Sequence, residues 1–492
     1  MARSTGREGF QGSLTSGVEA AFYLQDDPVM GRRPARVTLS GLREGELKDG
    51  KARVGIVSMQ TSKALGNAGT WSMVVKSTED LRQLISDDDW VDLSFLRHGL
   101  KHHTMRGLVD EVRLLRGSSG GATTRIYRLS GRDFQKVFEL TPIWFNRWTA
   151  ENVVGALSYK MFVERAVEQD PPDVVERILL GFLEQLGNLG RSNWVLPDAC
   201  PNGGGRPFVD VVNTNTAGYS RDTTVNPARK ALAVNFMDPQ GAGVWGLARE
   251  WADPQFAELW TDTVPPAGAP AGDEWTEAHP ETAQLVVFYR DVPFPTTKLG
   301  KSSPWFSLPT VEVHAQDVDE YDVGKSGHER FNAVFVGQVG YQEWGQYLAD
   351  LTAPYWQVDD VQQRGLRRLD YQTRYYSPGG GPLGMAEFQR ERLGDWFALN
   401  PYLLQGSVSI RSGRPQVRVG SRLRLRGKTP QEQETFYVET VSNSWGFGTD
   451  VTTNCGVTRG WIGTDDSYLS VLRIAADRFS VAAKAAPGEY LV

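Results

Sequence analysis

Alternating apolar and polar residues predict β-strands through most of the first and last thirds of the chain. The segments are short, rich in β-branched and aromatic residues, and separated by glycine, proline or charged turns. In the first third they are Glu19–Gln25, Ala35–Gly41, Arg53–Gln60, Thr70–Ser77, Trp90–Leu96, Met105–Gly117 and Ala122–Gly131. In the last third they are Leu308–Val318, Arg330–Val339, Gly406–Gly413, Glu434–Gly446 and Thr449–Trp461. The chain is therefore predicted to be α+β and mainly β.

Helical spacing of apolar residues is found mainly in the middle of the chain and near its end. The predicted helices are roughly Thr78–Ile85 (with Ser77 or Thr78 as its N-cap), 131–140, Pro172–Leu186, Gly243–Ala252, Gly384–Asn400 and Ser467–Ala485. Connectors rich in glycine and proline lie at Pro201–Pro207 and Val264–Glu274. Four parts follow: a β-rich part at 1–150, an inserted helical and mixed α/β region at 151–305, a second β-rich part at 306–465 with a helical insertion near 340–400, and a C-terminal helix and tail at 466–492.

The most regular alternation lies between Gly413 and Gly427. Its apolar members, expected to face a core, are Val417, Val419, Leu423 and Leu425. Its arginines, expected on the opposite face of one strand, are Arg418, Arg422, Arg424 and Arg426. Three interpretations stay open for this arginine row: a solvated face that protects a sheet edge, an interface with acidic residues of a neighbouring subunit, or a contact with DNA. Under the interface interpretation, reversing Arg422 and Arg424 to Glu should impair assembly rather than folding.

Composition restricts the class of protein. The 492 residues carry a net charge of -6, which disfavours a general nucleic-acid coat because such surfaces are normally basic. The two cysteines, Cys200 and Cys455, lie far apart and have no metal-binding spacing, so two free buried thiols are expected. No apolar run approaches the ~20 residues that would span a bilayer, so no membrane anchor is expected.

No motif for catalysis or for a cofactor passes a physical test. The tripeptide GKS occurs at Gly300–Ser302 and Gly324–Ser326, but Pro295 and Asp319 stand where a phosphate-binding loop needs glycine. The acidic stretch Ser86–Trp90 is predicted to be a solvated turn. The adjacent His102 and His103 are predicted to lie in an exposed turn. Neither catalytic, metal-binding nor cofactor-binding residues are therefore identified, and an enzyme is not expected.

One segment of the chain echoes another. Gly107–Gly131 aligns without a gap on Phe436–Gly460, and both read as strand, glycine turn, strand, glycine. Either the chain contains a duplication or two hairpins share their turn chemistry by chance. A duplication within one chain lets a ring of few subunits approach a higher symmetry.

Several phrases together resemble the central baseplate hub proteins of contractile-tailed bacteriophages and related contractile injection systems, the T4-type hub. The phrases are GTWSMVVKS, DDDWVDLSF, GVWGLAREWADPQFAELWTDT, LVVFYRDVPF, WFSLPTVEV and, near the end, GRPQVRVGSRLRLRG with ETFYVETVSNSWGFGTDVTTNCGVTRG. The resemblance implies two tail-tube-like β-barrel domains, at 1–150 and 306–465, with the helical and mixed segments inserted between and within them. The long final helix departs from that pattern.

The resemblance also implies a role. Three copies would form a homotrimeric ring with pseudo-sixfold symmetry that joins the tail tube, or tube-initiator proteins, to the central spike protein. The tape measure protein is a further candidate partner, and DNA would pass through the lumen without specific binding. The chain would then lie in the virion tail baseplate after assembly in the bacterial host cytoplasm. Two alternatives stay open: a tail-associated cell-wall hydrolase, and another tail-tube or tail-completion structural protein.

Overall fold

The computed structural model describes most of the two β-rich parts and portions of the segment between them. The described residues are 16–25, 29, 31–33, 35–42, 55–77, 79–97, 100–119, 122–140, 171–172, 174–176, 178–179, 209–213, 230–231, 243–253, 255–264, 284–327, 330–338, 355–373, 375–376 and 381–481. Cys200, His98, His279, His328 and the connector Pro201–Pro207 lie outside them.

The described residues are mainly β, as the alternation predicts. The strands are β1 Gly17–Leu24, β2 Ala35–Leu42, β3 Gly55–Ala64, β4 Asn67–Lys76, β5 Trp90–Arg97, β6 Leu100–Ser119, β7 Ala122–Asp133, β8 Val209–Asn213, β9 Lys230–Ala231, β10 Ala257–Val264, β11 Gln284–Asp291, β12 Thr310–His314, β13 Val318–Lys325, β14 Ala333–Gln338, β15 Tyr355–Trp356, β16 Arg368–Thr373, β17 Tyr375–Tyr376, β18 Leu404–Ile410, β19 Arg422–Arg426, β20 Glu434–Gly446, β21 Thr452–Ile462 and β22 Ser480–Val481. The helices are α1 Leu81–Leu84, α2 Lys136–Leu140, α3 Val244–Trp251, α4 Val358–Arg364, α5 Gly381–Ala398 and α6 Asp465–Ala476.

The first seven strands form one group, which we call the first sheet unit. They pair in the order β3-β2-β1-β5-β6-β7-β4, and β4 pairs with β3 again. Their inward side chains, among them Phe22, Met73, Leu93 and Leu129, form a buried core. The opposite face of β1 and β5 is also buried, since Tyr23 and Trp90 pack with α2, α3 and β10. Burial on both faces explains why the Trp90–Leu96 segment is almost continuously apolar.

The second sheet unit comprises six strands in the order β13-β18-β21-β20-β19-β12. All of these pairs are antiparallel except β12 with β19. The core of this unit contains all four apolar residues of the alternating segment: Val417, Val419, Leu423 and Leu425. That prediction is confirmed. Strand β20 also pairs antiparallel with β3, so the two units form one continuous sheet.

The remaining described strands form smaller sheets beside the two units. They are β10-β11-β8, β16-β14-β15-β22 and β17-β9. The buried side of α5, including Leu393 and Trp396, packs with Val334 and Val336 of β14. Leu469 and Leu472 of α6 pack with Leu399 and Leu403, just after α5.

Several predicted boundaries are wrong for local reasons. The arginine row is a strand only from Arg422 to Arg426, because Gly420 has a positive φ of 75° that interrupts an extended chain. Helix α1 begins at Leu81, where the Asp80 side chain accepts a hydrogen bond from the N–H of Arg82 and forms the N-cap. The final helix ends at Ala476, nine residues before the predicted end, and is followed by β22.

Candidate functional site

The internal echo corresponds to two β-hairpins, β6–β7 and β20–β21. Each first strand carries a bulge at the same aligned position, Asp110 in β6 and Glu439 in β20. On the second strand the ungapped alignment is wrong by three residues. Val112 pairs with Leu129, whereas the aligned Val441 pairs with Cys455. The second hairpin is therefore shorter toward its tip.

The equivalence extends beyond the hairpins to five strands. The pairing order β3-β4-β7-β6-β5 in the first unit recurs as β13-β18-β21-β20-β19 in the second, and every pair is antiparallel in both. The chain order is also the same. The turn between β3 and β4 consists of Leu65 and Gly66, whereas residues 326–403 separate β13 from β18. The chain thus contains one five-strand arrangement twice, and we call β3 and β13 the equivalent edge strands.

Backbone details agree with this equivalence. Asp88 and Gly420 both have positive φ, 60° and 75°, and each immediately precedes the residue that leads into β5 or β19. Their N–H groups donate to the carbonyls of Val109 and Val438, the aligned valines of β6 and β20. Strands β3 and β13 likewise share a bulge at their starts. Arg422 at the start of β19 consequently occupies the place of Trp90 at the start of β5.

The position of Arg422 explains why its side chain is buried. Trp90 is fully buried, and Arg422 is only 2% exposed. The Arg422 guanidinium lies 5.1 Å from the ring centroid of Trp305, and its Nη2 donates to Asp465 Oδ1 at 3.0 Å. Burial lowers the pKa of Arg422, although Asp465 partly opposes this effect. This arginine is part of the packing of the second unit and does not lie on a free surface.

Arg424 and Arg426 share a face of β19 with Arg422 and pair with one carboxylate. Glu312 lies directly opposite Arg424 on the parallel strand β12. Arg424 Nη1 donates to Glu312 Oε1 at 3.2 Å, and Arg426 Nη2 donates to Glu312 Oε2. These hydrogen bonds, that of Arg426 first, lower the pKa of Glu312. The pairing is within the chain and partly exposed, so it adds little to stability.

Arg418 lies outside β19 and contacts the first unit. Its guanidinium donates to the backbone carbonyls of His103 at 2.7 Å and Thr104 at 3.1 Å. It also lies 3.5 Å from Asp262 on β10, which accepts a hydrogen bond from Lys63 at 2.8 Å. Burial alone would raise the pKa of Asp262, but Lys63 and Arg418 outweigh it and lower the pKa. Arg418 therefore joins the second unit to β6 of the first unit and to β10 of a separate sheet.

The prediction that His102 and His103 lie in an exposed turn is wrong. Both side chains are buried on β6, and two partners of His103, Asp92 and Thr263, are distant in sequence. His103 lies 3.2 Å from Asp92 Oδ1 and 3.2 Å from the Thr263 hydroxyl. Burial lowers the pKa of His103, which favours the neutral ring.

Asp92 is the centre of this buried polar cluster. It accepts from Arg106 Nε at 2.6 Å, from Arg106 Nη2 at 2.8 Å and from the Tyr23 hydroxyl at 3.0 Å. Burial alone would raise the pKa of Asp92, but Arg106 and His103 outweigh it and hold the pKa well below its usual value.

The sequence pattern assigns His103 to an exposed turn and does not identify Asp92, Arg106 or Tyr23. A polar residue inside a continuous apolar run, as Asp92 is in WVDLSF, was the available signal.

Two further carboxylates are the buried Asp133, at the end of β7 and beside β10, and the partly buried Glu258 of β10. Asp133 accepts from the Thr261 hydroxyl at 3.1 Å, and burial raises the pKa of Asp133 to about 6 even though Lys63 lies nearby. Glu258 accepts from Arg290 Nε at 3.0 Å and from the Tyr437 hydroxyl. Strand β10 thus places polar contacts against both sheet units.

The acidic stretch Ser86–Trp90 is not a fully solvated turn. Asp89 is completely buried and pairs with Arg32 at 2.7 Å, while it accepts the N–H of Ser86 at 2.9 Å. Burial raises the pKa of Asp89 against these partners.

Chemistry elsewhere is sparse in the described part of the chain. No group of three or more His, Cys, Asp or Glu side chains there could hold a metal ion. Cys455 is a free buried thiol, as predicted, and burial raises its pKa to about 12. Lys301 and Ser302 of the first GKS tripeptide are exposed, as are Gly324 and Lys325 of the second. None of the described helices is long and apolar enough to cross a membrane.

No protein-family model and no curated protein sequence matches this chain. Solved structures do resemble it. Two of them are tail proteins. A tail protein from Neisseria meningitidis MC58 is 13% identical, with 90% of this chain and 96% of that chain covered and a TM-score of 0.48. The 43 kDa tail protein of prophage MuSo2 from Shewanella oneidensis is 10% identical, with 90% and 98% covered and a TM-score of 0.45.

A third similar structure is an Escherichia coli component of the type VI secretion system, described as structurally similar to T4 bacteriophage tail proteins. It is 9% identical, with 83% of this chain and 74% of that chain covered and a TM-score of 0.42. Because all three TM-scores are below 0.5, these similarities leave the family of the chain open. A proposal of function therefore has to rest on the duplicated strands and their contacts.

Proposed function

We propose that this chain is the structural hub of a phage tail or contractile injection machine. Three copies would form a ring in which two tube-like β-barrels per chain give six similar units around one axis. The observation that carries the proposal is the recurrence of the five-strand arrangement, joined edge to edge through β3 and β20. The contact between the two units is heterologous, because β20 of one unit pairs with β3 of the other. A heterologous contact that is repeated between copies closes a ring when the rotation permits.

The six similar units suit a junction between a sixfold tube and a trimeric spike. On this proposal the tail tube or its initiator protein binds one face of the ring and the central spike binds the other. The tape measure protein is a further candidate partner, and DNA passes through the lumen without specific binding. The domain division at 1–150, 151–305, 306–465 and 466–492 belongs to the same proposal.

The arginine row supports packing within the chain more directly than binding of a partner. Arg418, Arg422, Arg424 and Arg426 all contact groups of their own chain. A role for the exposed Arg426 at a subunit interface stays a prediction. We also propose that the chain has no catalytic activity, so a zymogram on bacterial cell walls should show no clearing. Clearing of the cell-wall substrate at the position of the purified chain would contradict this.

The oligomeric state tests the proposal. Native mass spectrometry of the full chain should give a species of three times 54.6 kDa. Cryo-electron microscopy of that species should show six similar lobes around a threefold axis, and of purified tails, three copies on the tail axis. A monomer at every concentration, or a ring without paired lobes, would overturn the hub proposal.

A further inference from the structure

The contact between the two sheet units within one chain provides a template for a contact between two copies. We propose that residues Glu111–Gly117 of β6 pair antiparallel with strand β13 of a second copy of this chain. The proposal rests on the ring of the proposed function and specifies which edges close it.

The template is the junction between β20 and β3. Residues Thr440–Gly446 of β20 pair with Ala64–Ser58 of β3 on the edge that β19 leaves free, because β19 reaches only as far as Tyr437. Backbone hydrogen bonds from Leu65 N to Glu439 O and from Phe447 N to Val57 O bracket this pairing. The first unit therefore receives a strand from its equivalent unit along seven residues.

Neither of the equivalent edges has a paired strand within the described residues. Strand β5 reaches only Leu108 of β6, so one edge of Glu111–Gly117 has no strand beside it. Strand β13, the equivalent of β3, pairs with β18 alone and ends the sheet. Open edges present unpaired backbone groups that another strand can bind. One copy thus offers a donor edge and an acceptor edge of matched geometry.

The charges on the two edges are complementary. Arg113 of β6 lies directly opposite Arg128 of β7, and both side chains are exposed. Within the described residues Arg128 has no carboxylate partner, and like charges directly opposite each other destabilise a hairpin. On β13 the exposed Glu320 and Asp322 also lack basic partners among those residues. Arg113 pairs with Glu111 of its own strand, and Arg128 leaves an excess of positive charge beside it. Pairing the edges brings this excess close to the carboxylates of β13.

The template also fixes the register. Transferring the β20–β3 pairs to β6 and β13 places Leu115 opposite Asp322, as Ser444 lies opposite Gln60. Arg113 then lies opposite Gly324, where an added Cβ atom would meet no other atom within 4 Å, so an arginine side chain has room to reach Asp322. On the inner face, the apolar Leu114 and Val323 lie opposite each other. Each element of the register is therefore compatible with the residues present.

A disulfide tests both the edges and the register. The hydrogen bonds from Leu65 N to Glu439 O and from Phe447 N to Val57 O make Ser444 and Gln60 a non-hydrogen-bonded pair. Their equivalents therefore have Cα atoms about 4.5 Å apart, which is within the range that a disulfide can bridge. The full chain with Leu115→Cys and Asp322→Cys should form covalent dimers and trimers on mild oxidation, seen on non-reducing gels. Controls are each single variant and the pair Leu115→Cys with Tyr321→Cys, which places the second thiol on the opposite face.

Charge reversal provides a second readout. Arg113→Glu with Arg128→Glu should raise the concentration at which the trimer dissociates by about tenfold or more. Adding Glu320→Lys and Asp322→Lys to that variant should restore assembly. The control Arg473→Glu with Arg478→Glu changes two exposed arginines elsewhere and should leave the trimer intact.

The outcomes separate the two proposals. Covalent species that end at three copies support both. A ladder beyond three copies supports the edge pairing and overturns the three-copy ring. A wild-type trimer with neither the disulfide nor sensitivity to charge reversal overturns the edge pairing alone. A wild-type monomer at every concentration overturns the ring, and the edge pairing with it.

Discussion

Replacing Asp92 by Asn should destabilise the first sheet unit more than any exposed ion-pair substitution. The Asp92 carboxylate accepts two hydrogen bonds from Arg106 and one from Tyr23, and its side chain is 5% exposed. The Arg106 side chain is 0% exposed, so water cannot replace the lost charge. Asparagine keeps the shape of the side chain but leaves the guanidinium without its buried counter-charge.

The magnitude follows from this burial. Removing one partner of a buried ion pair typically costs about 3–5 kcal/mol, because the remaining charge stays desolvated. The matched control is Asp370→Asn, which breaks the pair with Arg368. Those side chains are 58% and 53% exposed, and an exposed pair contributes about 0–1 kcal/mol. We therefore expect a difference of at least about 2 kcal/mol between Asp92→Asn and its control.

Urea unfolding followed by tryptophan fluorescence, with hydrogen exchange of β5 amides to assign the transition, measures the effect. The pH dependence gives a second signature. The pKa of Asp92 is lowered in the folded state, so its stabilisation is complete above the ordinary value of 3.8 and declines as the pH falls below it. The difference in free energy of unfolding between wild type and Asp92→Asn should therefore become smaller below pH 3.8. A loss no larger than that of the control, or a gap unchanged at pH 3, would refute the reasoning.

Three further substitutions test other parts of the structure. Asp133→Asn should stabilise the chain by up to about 3 kcal/mol above pH 6. The pKa of this buried carboxyl is raised to about 6, so its ionisation destabilises the wild type as the pH rises from 3.8 through about 6. Melting temperatures of wild type and variant at pH 5 and 8 measure the effect. Gly131→Ala should lower the free energy of unfolding by about 1–3 kcal/mol or more, since the alanine Cβ would lie 2.0 Å from Leu108 O. The control Gly324→Ala should leave the free energy of unfolding of the monomer unchanged in urea, because its Cβ would meet no atom within 4 Å. Arg422→Glu should impair folding itself, seen as loss of soluble protein, because it places a buried carboxylate beside the partly exposed carboxylate of Asp465. Normal folding with impaired assembly would contradict this.

Much of the secondary structure could be predicted from local pattern. The strand predicted at Glu434–Gly446 is β20 with the same bounds, and the helix predicted at Gly243–Ala252 is α3 within one residue at each end. Periodicity succeeds there because each element buries one face or stripe. It fails at Gly413–Gly427, where a turn with a positive φ at Gly420 precedes a short strand and leaves the alternation of side chains almost undisturbed.

The site could be predicted only in part, since its partners are distant in sequence. Alternation correctly places Arg422, Arg424 and Arg426 on one face of a strand. It cannot show that Glu312 lies on the neighbouring strand or that Asp465 follows more than forty residues later. The ungapped echo likewise covers only two of the five repeated strands. The equivalence of β5 and β19 escaped detection because equivalent positions diverged as far as Trp90 and Arg422, which share burial but no side-chain chemistry.

The opposite charges of the two open edges also bear on how assembly is limited. A free strand edge can pair with any other edge, including its own copy, and uncontrolled pairing of this kind leads to aggregation. Two β6 edges would bring the Arg113 side chains of both copies close together, with Arg128 on the strand behind, and Glu111 offsets only part of this charge. Two β13 edges would bring together the Glu320 and Asp322 carboxylates of both copies. Each edge therefore repels its own kind, and only the unlike pair is favoured. Contacts restricted to unlike edges run head to tail, which is the condition for a closed ring of identical chains rather than a symmetric dimer.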